Sequence, residues 1–154
     1  MAGNVTATPG ESSGETGHLP DDAVVIRGGM MNRQDLVDAA EKCQKVLGFP
    51  GLSVCSWPSA RTVAEVAFRV KATRDRTGRP LLKNGDLRKS TAGRIRNAGT
   101  ADRHPFSLVK TGLDPEHYTL RLPSPVTSDD WDLLEQTFDL PEVNPVGLKA
   151  NFGD

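Results

Sequence analysis

The chain has 154 residues, of which 36% are apolar and 25% charged, a composition typical of one soluble domain of ordinary size. It has no apolar run of the roughly 18 residues that a membrane-spanning helix requires. The first 20 residues lack the basic and apolar regions of a secretory signal. These features exclude an integral membrane protein and predict a cytoplasmic location.

Charge is distributed unevenly along the chain, although the formal net charge is only −1. Residues 61–121 contain fourteen of the nineteen Lys and Arg residues and six of the twenty Asp and Glu residues, a local balance of +8. The two flanks together carry −9. Segments of opposite sign indicate a basic surface that contacts a polyanion, with acidic flanks that keep the chain soluble. We therefore expect RNA as a partner.

The N-terminal residues 1–20 are mainly Gly, Ser, Thr, Glu and Pro, which predicts a disordered leader. A single folded domain is predicted over 21–140, followed by an extended C-terminal tail over 141–154. Within the domain, residues 23–26 form a continuous apolar run, typical of a buried strand. This strand is predicted to end at Arg27, before two glycines.

A helix is predicted after Asn32, a capping residue, and ends before Gly48, since apolar residues recur between them every three or four positions. Residues 51–56 alternate apolar and small polar side chains, as a half-buried strand does. Thr62 and Glu65 have capping-box spacing and predict a short helix. Because Gly and Pro together number 26, we expect no long helix.

Residues 71–86 contain five Lys and Arg residues among Gly, Pro and Asn, which predicts a mobile basic loop. A brief strand over 86–91 and a short helix over 92–98 are predicted next. Residues 106–109 and 117–122 are predicted to form the two strands of a hairpin around the turn 111–115.

Alternation in the second hairpin strand places Tyr118, Leu120 and Leu122 on one face. His117 and Thr119 then share the opposite, polar face. This polar face is therefore a candidate for chemistry.

Thr127 and Asp130 have the spacing that begins a last amphipathic helix. Helices and strands are mixed without strict alternation, and no internal repeat is present. The predicted fold class is α+β, with a single small mixed or antiparallel sheet packed by about three to four helices.

Cys43 and Cys55 fall in different predicted elements, without the spacing of a zinc site or a disulfide framework. We interpret both as buried free thiols. The sequence also lacks the motifs of metal hydrolases, P-loops and dinucleotide-binding folds. No metal and no other cofactor is therefore indicated.

Four short segments carry a resemblance: VIRGG at 25–29, GLSV at 51–54, STAGRIRNAG at 90–99 and DPEHYT at 114–119. They resemble segments of a group of small, largely uncharacterised bacterial proteins, some of which are toxin-like C-terminal modules. In those proteins the last motif begins with Asn instead of Asp, and the basic loop is shorter. The resemblance implies a toxin-like context, with a neutralising protein as a candidate partner, and implies no mechanism.

Metal-free cleavage of RNA needs a base for the 2′-hydroxyl, a cation for the developing phosphorane charge and an acid for the leaving oxygen. The candidate catalytic residues are His117, Arg27 and Thr119. His117 is the only histidine predicted to lie in a strand, and Arg27 ends another strand. Each also has an ordinary interpretation, as a hydrogen-bonded surface residue or a turn.

A second group of candidates surrounds the small-residue turn 90–93, where helix amides and cations together favour an anion. The candidate phosphate-binding residues are Arg88, Thr91, Arg94 and Arg96. The ordinary interpretation of Thr91 is a helix cap. We expect the sheet to bring Arg27, Thr91 and His117 to one cleft.

These residues favour a toxin-like, metal-independent endoribonuclease that acts on RNA. One alternative is an ADP-ribosyltransferase-like toxin that uses NAD, with Arg27 binding the nucleotide, Ser90 and Thr91 as a strand pair and Glu116 as the acid. Another is a binding module without chemistry, whose basic face contacts nucleic acid or a protein.

Overall fold

The structure, a computed structural model, describes residues 18–148. In this part of the chain the strands are β1 (Val24–Gly28), β2 (Gly51–Ser56), β3 (Asp86–Thr91), β4 (Ser107–Lys110), β5 (His117–Arg121) and β6 (Glu142–Val143). The helices are α1 (Arg33–Leu47), α2 (Val63–Thr77), α3 (Ala92–Arg96) and α4 (Ser128–Thr137).

The strands form one sheet in the order β4-β5-β2-β1-β3-β6, and every neighbouring pair is antiparallel. The predicted α+β class with a single small sheet is confirmed, and the sheet is antiparallel. The hairpin of β4 and β5 agrees with its predicted bounds to within one residue at each end.

Helices cover both faces of the sheet, so that each face has its own apolar core. One core joins Val25, Val54 and Tyr118 to side chains of α1, α3 and α4. The other joins Ile26 and Leu87 to side chains of α2. Since neighbouring residues of a strand point to opposite faces, Val25 and Ile26 anchor β1 in both cores.

The local signals at the helix starts act as predicted. The side chain of Asn32 accepts a hydrogen bond from the amide of Asp35, and Gly48 ends α1 with φ of 85°. The capping boxes of Thr62 with Glu65 and of Thr127 with Asp130 are both formed. Each cap satisfies amides that the first helical turn leaves without a partner.

The predicted mobile basic loop over 71–86 is wrong for its first half, because α2 continues to Thr77. The expectation of a short helix after Thr62 is also wrong, since α2 has 15 residues. Val66, Val70 and Thr73 keep helical spacing on the buried face of α2. Of the three cations on this part of α2, Arg76 is exposed, Lys71 is half-buried and Arg74 is buried. Together with the Gly and Pro residues that follow, they gave the segment a loop-like composition.

The remaining loop, 78–85, is held by the C-terminal segment. The side-chain amide of Asn144 donates to the carbonyls of Leu82 at 3.0 Å and Asn84 at 2.8 Å. The amide of Leu148 donates to the carbonyl of Lys83 at 2.8 Å. This loop is therefore fixed against the body of the domain.

Packed structure extends past the predicted domain bounds of 21–140 at both ends. Leu19 is fully buried in the first core, and Val146 is buried in the second. Residues 1–17 of the predicted leader and 149–154 of the predicted tail lie outside the described residues. The described part of the tail, 141–148, includes β6.

Candidate active site at His117

The imidazole of His117 is held at both ring nitrogens. Its Nδ1 lies 3.0 Å from the carbonyl oxygen of Thr111 and 3.1 Å from the hydroxyl of the same residue. Its Nε2 lies 3.2 Å from the hydroxyl of Ser53. Because a carbonyl only accepts hydrogen bonds, Nδ1 carries the proton of the neutral ring, and Nε2 presents a lone pair. The neutral ring is thus oriented as a general base.

Strand register explains why these side chains meet. On β5, His117 pairs with Cys55 of β2, and Thr119 pairs with Ser53. Alternation therefore puts Ser53, His117 and Thr119 on one face of the sheet, as predicted for the two β5 residues. Ser53 is exposed and His117 is half-buried, so solvent and ligands reach the pair.

Thr119 is connected to His117 indirectly, through Thr111. Its side chain is buried, and its hydroxyl lies 2.7 Å from the hydroxyl of Thr111. Thr111 in turn holds Nδ1 of His117. Gly112 allows this turn to approach the ring, since it has φ of 73° and a Cβ there would lie 3.1 Å from Nδ1. Thr119 is therefore a positioning residue in this geometry.

Arg27 reaches the same place from β1. Its Nη1 donates to the carbonyl oxygen of Ser53 at 2.7 Å, which leaves further guanidinium N–H groups for a ligand. Burial lowers the pKa of Arg27, while the nearby charges of Cys55 and Asp35 oppose this shift. The guanidinium stays charged at neutral pH, because arginine side chains are not deprotonated in proteins.

Two cavities adjoin each other at this place. Their border is formed by Arg27, Ser53 and His117, which line both cavities. The cationic cavity, about 440 Å³, lies beside α1 and is also lined by Lys42, Thr111 and Thr119. None of the described residues that line it is acidic. An anion such as a phosphate therefore meets two cations, a histidine and three hydroxyls there, without a carboxylate.

The second, acidic cavity has a volume of about 350 Å³. Its polar wall includes Asn84, Asp114 and Glu116, and its apolar wall includes Ile26 and Val70. Both volumes lie in the range of small-molecule sites.

The structure engages the four candidate phosphate-binding residues elsewhere. Arg88 donates to the backbone carbonyls of Glu135, Phe138 and Asp139 at the end of α4. Arg94 pairs with Asp139 and Arg96 pairs with Asp21. Thr91 caps α3, where its hydroxyl accepts from the amide of Arg94 at 3.2 Å.

The expected meeting of Arg27, Thr91 and His117 therefore forms only in part. Arg27 and His117 share both cavities, whereas Thr91 is not among the residues that line either. Thr91 pairs with Val24, at the opposite end of β1 from Arg27. Three strand spacings separate β3 from β5, which is roughly 14 Å across the sheet.

The charge separation seen along the sequence is largely cancelled in space. Five cations of the basic middle pair with acids of the flanks: Arg61 with Asp22, Lys89 with Glu142, Arg94 with Asp139, Arg96 with Asp21, and Arg103 with Asp130. Two more pair within the middle, Lys71 with Asp75 and Arg79 with Asp114. Half of the fourteen central cations are thus in ion pairs with other residues of 18–148, so the linear charge pattern overstates the basic surface.

Sequence reasoning missed Ser53, Thr111 and Lys42. Ser53 had a usable signal, because it is the polar residue of an alternating strand whose neighbours are apolar. Thr111 and Lys42 had none, since a turn and an exposed helix face are ordinary places for Thr and Lys. The two cysteines are free and half-buried rather than fully buried.

In the described part of the chain, no group of three or more His, Cys, Asp and Glu side chains is placed to hold a metal ion. No helix within residues 18–148 is long and apolar enough to cross a membrane. Comparisons with protein-family models, with curated proteins and with solved structures found no match to this chain.

Proposed function

We propose that this protein is a metal-independent endoribonuclease that cleaves RNA at the border of the two cavities. The observation that supports this most is the orientation of His117, whose Nδ1 is fixed by a carbonyl and whose Nε2 faces a hydroxyl. A ribose 2′-hydroxyl in the place of the Ser53 hydroxyl would donate to the same lone pair. The resemblance of the sequence motifs to toxin-like modules adds a toxin context to the proposal.

In the proposed reaction Nε2 of His117 takes the proton of the 2′-hydroxyl as that oxygen attacks the adjacent phosphorus. The bond between phosphorus and the 5′-oxygen breaks, and the protonated imidazole returns its proton to this leaving oxygen. The products are a 2′,3′-cyclic phosphate and a 5′-hydroxyl end. One histidine thus serves as base and then as acid.

Cations stabilise the charge that develops on the phosphoryl oxygens. Arg27 is held by the carbonyl of Ser53, within the same cavity wall as His117. Lys42 of α1 also lines the cationic cavity. A phosphate bound in this cavity would have both cations among its surroundings.

The test is incubation of the purified protein with RNA in EDTA, followed by analysis of the new ends. We expect cleavage that leaves 2′,3′-cyclic phosphates, and a loss of about 100-fold or more in His117→Ala, the contribution typical of a general base. His104→Ala is the matched control, since His104 is exposed in a loop with Nδ1 3.1 Å from the carbonyl of Ala98. Intact RNA would reject the nuclease, and equal cleavage by His117→Ala would reject the site at His117.

One observation favours a second candidate, the ADP-ribosyltransferase-like enzyme, because Arg27 and Glu116 line the same acidic cavity. The other residues of that hypothesis do not join them, since Ser90 donates to the carbonyl of Thr137 and Thr91 caps α3. Release of nicotinamide from NAD, lost in Arg27→Ala, would select this enzyme. Salt-sensitive RNA binding without turnover of RNA or NAD would instead indicate a binding module.

A further inference from the structure

The carboxylate of Glu116 is buried with an unfilled hydrogen-bonding capacity. The residue is only 6% exposed, and one oxygen, Oε1, accepts from the hydroxyl of Thr73 at 2.9 Å. Among residues 18–148, no side chain or amide donates to the other oxygen, Oε2. A buried carboxylate oxygen without a donor is costly, and Glu116 lines the acidic cavity. A ligand that brings a donor into this cavity would satisfy it.

The neighbouring polar groups of the acidic cavity differ from Glu116 in this respect. Asp114 is already paired with Arg79. Asn84, on the loop 78–85, lines the same cavity and lies close to Gly28, where a Cβ would be 2.7 Å from its Oδ1. The side-chain amide of Asn84 can both donate and accept. Glu116 therefore offers a strong hydrogen-bond acceptor to a ligand in this cavity, and Asn84 offers both a donor and an acceptor.

We propose that the acidic cavity binds the base of a nucleotide beside the cleaved phosphate and selects a base that presents an exocyclic amino group, cytosine over uracil and adenine over hypoxanthine. The proposal rests on the endoribonuclease function above, because the phosphate at Arg27 and His117 fixes which group enters the cavity. Ile26 and Val70, which also line the cavity, would provide apolar contact to a flat surface of the base.

Discrimination follows from the acceptor character of the carboxylate. The amino group N4 of cytosine donates to Asp and Glu, whereas uracil presents the acceptor O4 at the same position. With uracil bound, the lone pairs of O4 and of Glu116 would face each other, and Oε2 would stay without a donor. Adenine and hypoxanthine differ in the same way at position 6.

The test compares kcat/KM for the dinucleoside monophosphates CpC, CpU, UpC and UpU. We expect cytosine at one of the two positions to raise kcat/KM at least about tenfold over uracil, the range of one well-placed base contact. Glu116→Gln should bring this ratio close to one, because a carboxamide donates to O4 as well as accepts. Glu135→Gln is the control, since Glu135 pairs with Arg33 away from the cavity and should keep the ratio.

A binding measurement separates this inference from the nuclease proposal. Calorimetry with the 3′- and 5′-monophosphates of cytidine and uridine needs no cleavage. Cytidine preference that is lost in Glu116→Gln, with no dinucleotide cleaved, would retain the base site and reject the nuclease. Cleavage without preference, or with a preference that Glu116→Gln keeps, would overturn the base site alone. If Glu116→Gln does not fold, Asn84→Ala on the exposed loop should weaken the same preference, and an unchanged ratio there overturns the proposal.

Discussion

The side chains of Ser53 and His117 meet across two neighbouring strands, with Oγ of the serine 3.2 Å from Nε2 of the histidine. In the free protein the serine hydroxyl occupies the position that the proposed reaction assigns to the attacking ribose hydroxyl. In the proposed reaction the substrate's 2′-hydroxyl replaces the serine hydroxyl at Nε2. In a competing mechanism the serine hydroxyl is itself the nucleophile.

Removing this hydroxyl distinguishes the two roles. We expect Ser53→Ala to lower KM for RNA a few-fold with kcat retained, because the 2′-hydroxyl no longer competes for Nε2. Steady-state kinetics on one oligonucleotide, beside His117→Ala, provide the measurement. A loss in Ser53→Ala as large as that in His117→Ala would instead make Ser53 the nucleophile.

Arg88 and Arg27 are expected to behave in opposite ways, although both come from basic motifs. The guanidinium of Arg88 donates hydrogen bonds to three backbone carbonyls at the end of α4. Because these charged hydrogen bonds are lost, Arg88→Ala should lower the free energy of unfolding by about 2 kcal/mol. Arg27→Ala should lower kcat with a smaller stability change. Urea unfolding and cleavage rates of both variants test this. Loss of cleavage in a folded Arg88→Ala would restore the sequence-based phosphate role of that residue.

Asp130 links stability to acid pH. Its carboxylate is 1% exposed and accepts from Arg103, the main cause that lowers its pKa; burial opposes the shift, and the amide of Thr127 adds to it. Because the folded pKa lies below the unfolded value of about 3.9, the stabilisation is complete above that pH and is lost as the pH falls through the folded pKa.

Unfolding free energies measured from pH 7 to pH 2.5 should therefore fall below about pH 4. Asp130→Asn should lower the free energy of unfolding at neutral pH and should make its decrease at acid pH smaller than in the wild type. Asp132→Asn is the control, because Asp132 is 55% exposed in its pair with Arg33. Identical acid limbs in wild type and Asp130→Asn would contradict the assignment.

Cys55 should be unreactive in the folded protein. Burial, and then the charges of Glu116 and Asp114, raise its pKa from 9.0 to about 12, so the thiolate is scarce at pH 8. We expect iodoacetamide to modify Cys55 in a Cys43→Ser protein roughly two to three orders of magnitude more slowly when native than in urea. Equal native and unfolded rates would show that the acidic cavity is open and hydrated at this thiol.

The parts of the fold that depend on neighbours in sequence were predictable. Asn32, Thr62 and Thr127 each act as a cap within three residues of their partner. Gly48 ends α1 because it adopts a left-handed conformation without a steric cost. Such capping signals act between residues a few positions apart, so they can be recognised without knowing how the strands pair.

The site depends on partners that are far apart in sequence, and these were not predictable. The contact of His117 with Ser53 spans 64 residues and follows from the register of β2 with β5. The separation of Thr91 from Arg27 likewise follows from the antiparallel pairing of β3 with β1. The residue types indicated which side chains were candidates for the site. The pairing of the strands determines which of those side chains come into contact.

The ion pairs between the acidic flanks and the basic middle give folding an electrostatic consequence. An unfolded chain presents residues 61–121 as a continuous cationic segment with a balance of +8. The folded chain brings Asp21, Asp22 and Asp139 onto that segment. A long polyanion at low salt would therefore bind the unfolded chain preferentially and lower its melting temperature, whereas a short nucleotide that fits the cavities would raise it. Folding thus pairs part of the cationic segment with the acidic flanks, and fewer of its charges remain for a polyanion.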